Sequence, residues 1–216
     1  MSDLHVSEIF DSIQGESHWA GYPCTFLRLS GCNLDCAWCD TGFARDSVAG
    51  TAWSVPELVR EVASRGQPLV EVTGGEPLLQ VETPALLSAL LSLGRRVLLE
   101  TNGSLPLNAV PPGVHIVMDL KAPGSGMAEF NRWANLGRLR AGDEVKIVLR
   151  NRADWEWARD VIGEYQLLRR TRVSLSPVQG ELAPRDLAAW LLEERLDARL
   201  QLQLHKVLWP ERDRGV

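Results

Sequence analysis

TFLRLSGCNLDCAWCDT, residues 25–41, begins as a strand and ends as chemistry. Its first five residues are an apolar, partly β-branched run, interrupted only by Arg28. Three cysteines follow, Cys32, Cys36 and Cys39, in C-x3-C-x2-C spacing, with Trp38 just ahead of the third. Parallel α/β sheets and barrels bind ligands at the carboxyl ends of their strands. A reactive loop directly behind a strand is therefore the arrangement to look for along the rest of the chain.

It recurs. Residues 69–72 (LVEV), 97–100 (VLLE), 115–119 (HIVMD), 145–149 (VKIVL), 173–175 (VSL) and 200–204 (LQLQL) read as further strands, and 4–10 as an edge strand. Polar or glycine-rich segments follow them: TGGEP, ETNG, DLKAPGSG, SPVQG and HK. Helical patterns lie between. Ser54 and Glu57 form a capping-box pattern opening a helix that ends near Gly66, and Thr83-Pro84 opens another running to Gly94. Residues 152–168 and 184–196 read as two more. Residues 101–113 hold three prolines and no helical period, so this connection lacks a full helix. The alternation implies a parallel sheet with right-handed crossovers in one domain, residues 1–216. Seven such strands suit an open doubly wound sheet or an incomplete barrel, the chain being shorter than the ~250 residues of a full eight-fold barrel.

Composition narrows the function classes. The chain is 45% hydrophobic and 24% charged, as a globular protein with a real core should be. A net charge of −5 argues against a nucleic-acid surface, and Arg169, Arg170 and Arg172 read as a solvated helix end. The longest apolar runs, such as 85–93, are too short to cross a bilayer. The first residues, MSDLHVSEIFDS, lack the basic-then-apolar order of a secretory signal, so a cytoplasmic, reducing location is expected. There, clustered cysteines point to metal or redox chemistry.

Zinc needs a fourth ligand here. Cys24 is one candidate, although beside a strand it reads as a core cysteine, and His18 is another. A [4Fe–4S] cluster held by three thiolates suits the spacing better, because it leaves one iron free for a ligand. The cysteine loop, with TGGEP at 73–77 behind the next strand, resembles the radical S-adenosylmethionine (SAM) superfamily. That resemblance implies an incomplete (β/α) barrel with some helices shortened or missing, a [4Fe–4S] cluster on Cys32, Cys36 and Cys39, and SAM chelated at the open iron. Gly74, Gly75 and Glu76 would meet the methionyl amine and Trp38 the adenine. Asp119, Lys121, Ser176 and Gln179 match SAM-binding segments.

SIQGES at 12–17, Arg28, Asp40-Thr41, ETNG at 100–103, DLKAP at 119–123 and QLHKVLW at 203–209 occur in an order similar to the 7-carboxy-7-deazaguanine synthase family. The similarity spans about residues 8–209. It implies radical ring contraction of 6-carboxy-5,6,7,8-tetrahydropterin with loss of ammonia, a Mg2+ ion, a homodimer and an electron donor such as flavodoxin. Thr41 would be the Mg2+ ligand, with Asp40 competing. Thr73 and His205 match positions near the substrate. Arg28, opposite in face to Leu27 and Leu29, suits a carboxylate, an internal salt bridge being the alternative. Gln14 and Glu16, with Gly15 between them, suit the amino-pyrimidinone edge. Ser17 replaces the last glycine of the family's QGEG. Two rivals stand beside this reading: a radical-SAM activase that makes a glycyl radical on a partner protein, and a non-catalytic zinc-stapled interaction domain. Eight tryptophans, Trp155, Trp157, Trp190 and Trp209 among them, read mainly as core packing. The tail after Pro210 would lie over the site or stay mobile.

Overall fold

The structure is a computed structural model that describes residues 2–47 and 50–216. Among them, nine strands form a single open sheet: β1 (Leu4–Ile13), β2 (Pro23–Leu29), β3 (Thr51–Trp53), β4 (Leu69–Gly74), β5 (Arg96–Thr101), β6 (His115–Asp119), β7 (Glu144–Leu149), β8 (Arg172–Pro177) and β9 (Arg199–Leu200). Their order is β3-β1-β2-β4-β5-β6-β7-β8-β9. From β2 through β9 every pairing is parallel, while β1 runs antiparallel between β2 and β3. The sheet curls without closing, as an incomplete barrel. Helices α1 (Val55–Arg65), α2 (Thr83–Ser92), α3 (Arg152–Glu164) and α4 (Pro184–Glu194) cover its outer face, and a short α5 (Leu204–Leu208) follows β9.

Strand alternation divides this sheet into two chemistries. Outward residues are apolar: Leu27, Leu29, Val70, Val72, Val97 and Leu99 pack under α1 and α2, and Val145, Ile147, Leu149, Val173 and Leu175 pack under α3 and α4. Each fully buried leucine or valine contributes about 1.5–3 kcal/mol. Inward residues form a small apolar plug of Cys24, Phe26, Leu69 and Leu98 with Phe10. Beyond the plug, toward the carboxyl ends of the strands, they turn polar. Cys24 is a core cysteine, its thiol pushed far up by burial.

Several expectations need correction. β1 is not an edge strand, because Thr51–Trp53 pairs outside it, and three residues are too few to signal a strand. Residues 200–204 form no full strand. Gln201 is buried and donates to the Gly15 and Leu202 carbonyls, so the ladder stops at Leu200 and the chain turns into α5. His205 is therefore helical, not at a strand end. α3 stops at Glu164, and Gln166, in the left-handed region, redirects the chain so that Leu167 is buried. The 101–113 connection carries one 3-10 turn, Leu107–Ala109. The predicted capping box forms, with the Glu57 carboxylate accepting from the Ser54 N–H and hydroxyl. Trp155 is fully buried and Trp190 packs against it, the ring centroids 5.9 Å apart.

Candidate active site

Behind the carboxyl end of β2, the cysteine loop lies against the turn that follows β4. Gly75 N–H donates to the Leu29 carbonyl (3.1 Å) and Glu76 N–H to the Gly31 carbonyl (2.7 Å). A Cβ on Gly75 would overlap the Gly31 carbonyl oxygen and sit 2.8 Å from Cys32 Cβ, and Gly74 adopts a φ of +145°. These glycines let two loops touch, and both also line the cavity. Glu76 has a structural task as well. Fully buried, its carboxylate accepts from the Leu78 N–H, the Thr101 hydroxyl and the Asn102 N–H at 2.7–2.9 Å. Burial raises its carboxyl, and these donors work the other way. It ties the turn after β4 to the turn after β5 and does not line the cavity.

The cavity itself holds about 530 Å3. Cys32, Cys36, Cys39, Trp38 and Thr41 form one side, with Gly74 and Gly75 beside them. Gln14, Gly15, Glu16, Arg28, Thr73, Asp119, Lys121, Gln179 and His205 also line it. Of the residues predicted for the site, Glu76 and Ser176 alone stand off this surface. The Ser176 hydroxyl, fully buried, donates to the Gln201 carbonyl (2.6 Å) and fixes the strand end that underlies Gly15.

Charged residues that the sequence reading passed over form the floor. Lys146, on β7, donates to Glu16 (2.9 Å) and Glu100, and lies 3.4 Å from Asp119. Burial opposes its charge, but Asp119, Glu100 and Glu16 outweigh it and hold the ammonium well above its usual value. Glu71 and Glu100, on β4 and β5, share the same inner face. Burial and the Glu100 charge push the Glu71 carboxyl well above its usual range. Burial also acts on Glu100, yet the Lys146 ammonium holds it down to about 2. Thr73 donates its hydroxyl to Glu100 (3.1 Å) and Gln14 its amide to Glu71 (2.9 Å).

Arg28 takes the alternative weighed against it in part: its Nε lies 2.8 Å from Glu8 on β1, beneath the Phe10 ring. Among the described residues its terminal nitrogens have no hydrogen-bond partner. The Gln14 amide oxygen is spent on the Glu16 and Ser17 N–H groups (3.1 and 2.9 Å), shaping the loop. Ser17 needs no glycine backbone, and its buried hydroxyl caps Trp19 N–H (3.1 Å). Gly15 lies close under α5, where a Cβ would stand 3.3 Å from the His205 and Leu204 amide nitrogens. Asp40 lies 2.8 Å from Lys206 and 3.9 Å from His205. Burial works against its charge, but these two neighbours hold the carboxyl far below its usual range. The tail crosses the mouth: Arg214 stacks on Phe43 (4.1 Å), Gly215 N–H reaches Glu8 (3.3 Å), and Val216 lines the cavity.

Residues 27–164 match the Radical SAM superfamily. The chain is 48% identical to the 7-carboxy-7-deazaguanine synthase of Chlorobaculum tepidum, over 99% of this chain and 97% of the relative. The chain belongs to the radical SAM superfamily, in its 7-carboxy-7-deazaguanine synthase family. The Koribacter versatilis member is 40% identical over 99% of this chain and its own full length. QueE from Escherichia coli has the same fold, with a TM-score of 0.76, 22% identity, and coverage of 93% of this chain and 94% of that one. SuiB of Streptococcus suis bound to S-adenosylmethionine matches more loosely (TM-score 0.54, 16% identity), over 80% of this chain and 47% of that one.

A radical SAM protein carries an iron–sulfur cluster and SAM, and the cysteine loop fits them. All three thiols are free and reach one cavity. The Cys32 sulfur accepts from the Leu34 N–H (3.5 Å) and the Asn102 amide (3.8 Å), donors of the kind that stabilise cluster thiolates. Burial raises the Cys36 thiol, and the Lys121 charge beside it opposes that. Cys24, enclosed in the inner plug, does not serve the loop as a fourth ligand.

Proposed function

We propose that this chain converts 6-carboxy-5,6,7,8-tetrahydropterin to 7-carboxy-7-deazaguanine with release of ammonia, a carbon–nitrogen lyase reaction of queuosine and deazapurine biosynthesis. One observation carries the reading: a single cavity joins the three cluster cysteines to a buried floor of Arg28, Lys146, Glu16, Glu71 and Glu100. A floor of paired charges suits a small polar anion. A glycyl-radical activase, whose substrate is a protein chain, has no use for it.

Cys32, Cys36 and Cys39 would hold the cluster and leave one iron for SAM, which together supply a 5′-deoxyadenosyl radical when bound. The remaining work belongs to the chain. Arg28, steadied through Nε by Glu8, offers its terminal nitrogens to the substrate carboxylate as a fork. Glu16 and Glu71 turn their carboxyl groups to the pyrimidinone edge, which takes over the role expected of Gln14. Lys146 keeps the floor electrically balanced. Gln14 and Gly15 set the loop, and the tail excludes water from the mouth. Thr41, 3.8 Å from Cys39 Sγ, is the proposed Mg2+ ligand, with Asp40 held off by Lys206. An electron donor such as flavodoxin and a homodimeric state complete the reading.

The test is anaerobic reconstitution with iron and sulfide, then incubation with SAM, dithionite, Mg2+ and the carboxypterin, with product followed by mass spectrometry. Formation of 7-carboxy-7-deazaguanine, lost in Cys36→Ala, is the expected result. SAM cleavage with the pterin untouched would leave the radical chemistry standing and overturn the substrate.

A further inference from the structure

At the opposite end of the sheet from the cysteines, two histidines and a glutamate converge. His115 is the first residue of β6 and Glu144 the first of β7, so both stand at the amino-terminal ends of parallel strands. His18 arrives there because β1 runs antiparallel and its carboxyl end, followed by the 14–22 loop, lies at that same end. Neither histidine nor Glu144 takes part in the chemistry described above.

We propose that His18, His115 and Glu144 form a Zn2+ site that staples the loop carrying Gln14 and Glu16 to the starts of β6 and β7. One ligand atom from each of the three lies within 4.8 Å of the other two. His18 Nδ1 stands 3.2 Å from Glu144 Oε2. Charge-assisted N–H···O bonds close to about 2.7–2.9 Å. Ligands held about 2.0–2.1 Å from a tetrahedral zinc stand roughly 3.3 Å apart, and the observed spacing is nearer to that. The His115 Nε2 is buried and has no hydrogen-bond partner among the described residues. Its ring meets the His18 ring edge-on, with centroids 4.3 Å apart, an arrangement without a proton to share but natural for two imidazoles facing one ion.

The surroundings are those of a ligand set. Glu144 is fixed by the Ser174 hydroxyl on one oxygen (2.6 Å) and the His18 N–H on the other (2.9 Å), the outer contacts that hold a ligating carboxylate. Two imidazoles and one carboxylate are a borderline-soft set that suits Zn2+, and a harder ion such as Mg2+ would want oxygens. The His18 side chain is 18% exposed, which leaves a side open for entry and for a water as fourth ligand. The placement has a consequence upstairs. Glu144 precedes Lys146 by two residues on the same face of β7, and His18 follows Glu16 by two. A metal joining His18 to Glu144 braces the Lys146–Glu16 pair from below.

Cluster-loaded protein should be used, so that the cysteines are occupied. Stripped anaerobically with a mild chelator, it would be exposed to Zn2+ in excess Mg2+, desalted, and assayed for zinc and iron by elemental analysis. The expected result is about one zinc per chain with iron unchanged. His18→Ala and His115→Ala should each lower zinc affinity by at least the roughly 10–100-fold that loss of even an outer-shell partner costs. His18 lies on a loop, so its variant keeps the proposal testable if His115→Ala misfolds. Zinc should also raise the melting temperature of the parent protein and not of His18→Ala. No retained zinc, or equal retention by parent and His18→Ala, would overturn the site.

Discussion

Replacing Lys146 by methionine keeps the shape of a side chain that is 6% exposed and removes its charge. Three carboxylates lose an ammonium neighbour at once, Glu16, Glu100 and Asp119, of which Asp119 keeps Lys121 at 2.6 Å. Glu100 gives the scale. Its carboxyl falls from 4.5 to about 2, chiefly because Lys146 outweighs burial. A depression of that size is worth about 3 kcal/mol, the lower end of the ~3–5 kcal/mol lost when one member of a buried pair is removed. Because the folded-state value is depressed, this stabilisation is present above about pH 4.5 and is lost as pH falls through about 2. Lys146 itself is raised, so its own contribution is fully present below its unfolded value and is lost only in strongly alkaline solution. In the variant this stabilisation is gone, so the variant falls behind the parent as pH rises from about 2 to about 4.5. For a chain of this length, ~3 kcal/mol corresponds to about 6–12 °C in melting temperature. Anaerobic thermal scans of both proteins at pH 8 and pH 3 would measure it, with the gap at pH 3 less than half that at pH 8. An equal gap at both values, or one under about 2 °C at pH 8, would refute the account of the floor.

Three further outcomes follow from the loop packing. Gly75→Ala forces a Cβ onto the Gly31 carbonyl and should displace the cysteine loop, so reconstituted iron content and visible absorption fall while the circular dichroism of the sheet persists. Glu76→Gln replaces one acceptor oxygen by an NH2 donor facing the donors of Thr101, Asn102 and Leu78, leaving one buried N–H or hydroxyl unmatched; denaturation should show a loss of about 1–3 kcal/mol, and an unchanged midpoint would sink the assignment. Cys24→Ala should cost on the order of 1 kcal/mol in stability and leave iron content intact, since Cys24 belongs to the inner plug; loss of iron would make it a ligand.

The order of strands and helices and the rim on which the chemistry gathers were legible in the sequence, because both rest on local signals. Apolar runs with period two, a capping box and glycine-rich turns behind strands need no knowledge of distant contacts. The cysteine spacing is equally local. What failed locally was short or conditional: a three-residue β3, and a β9 that ends where Gln201 turns inward. Lys146 in VKIVL, Glu71 in LVEV and Glu100 in VLLE are charges in apolar strands just as Arg28 is. Alone, each reads as a polar residue on a half-exposed strand.

Only the curled sheet turned those three inward and set them against one another. Partner choice decided the rest. Arg28 gave its Nε to Glu8, Gln14 spent its oxygen on its own loop, and Glu76 went to Thr101 and Asn102, contacts spanning 2 to 26 residues. The sequence by itself determined which groups stand at the ends of which strands, since alternation and turn chemistry are properties of neighbours. Which charge neutralises which was decided by the tertiary structure, because burial and pairing depend on elements that meet only when the sheet curls around them.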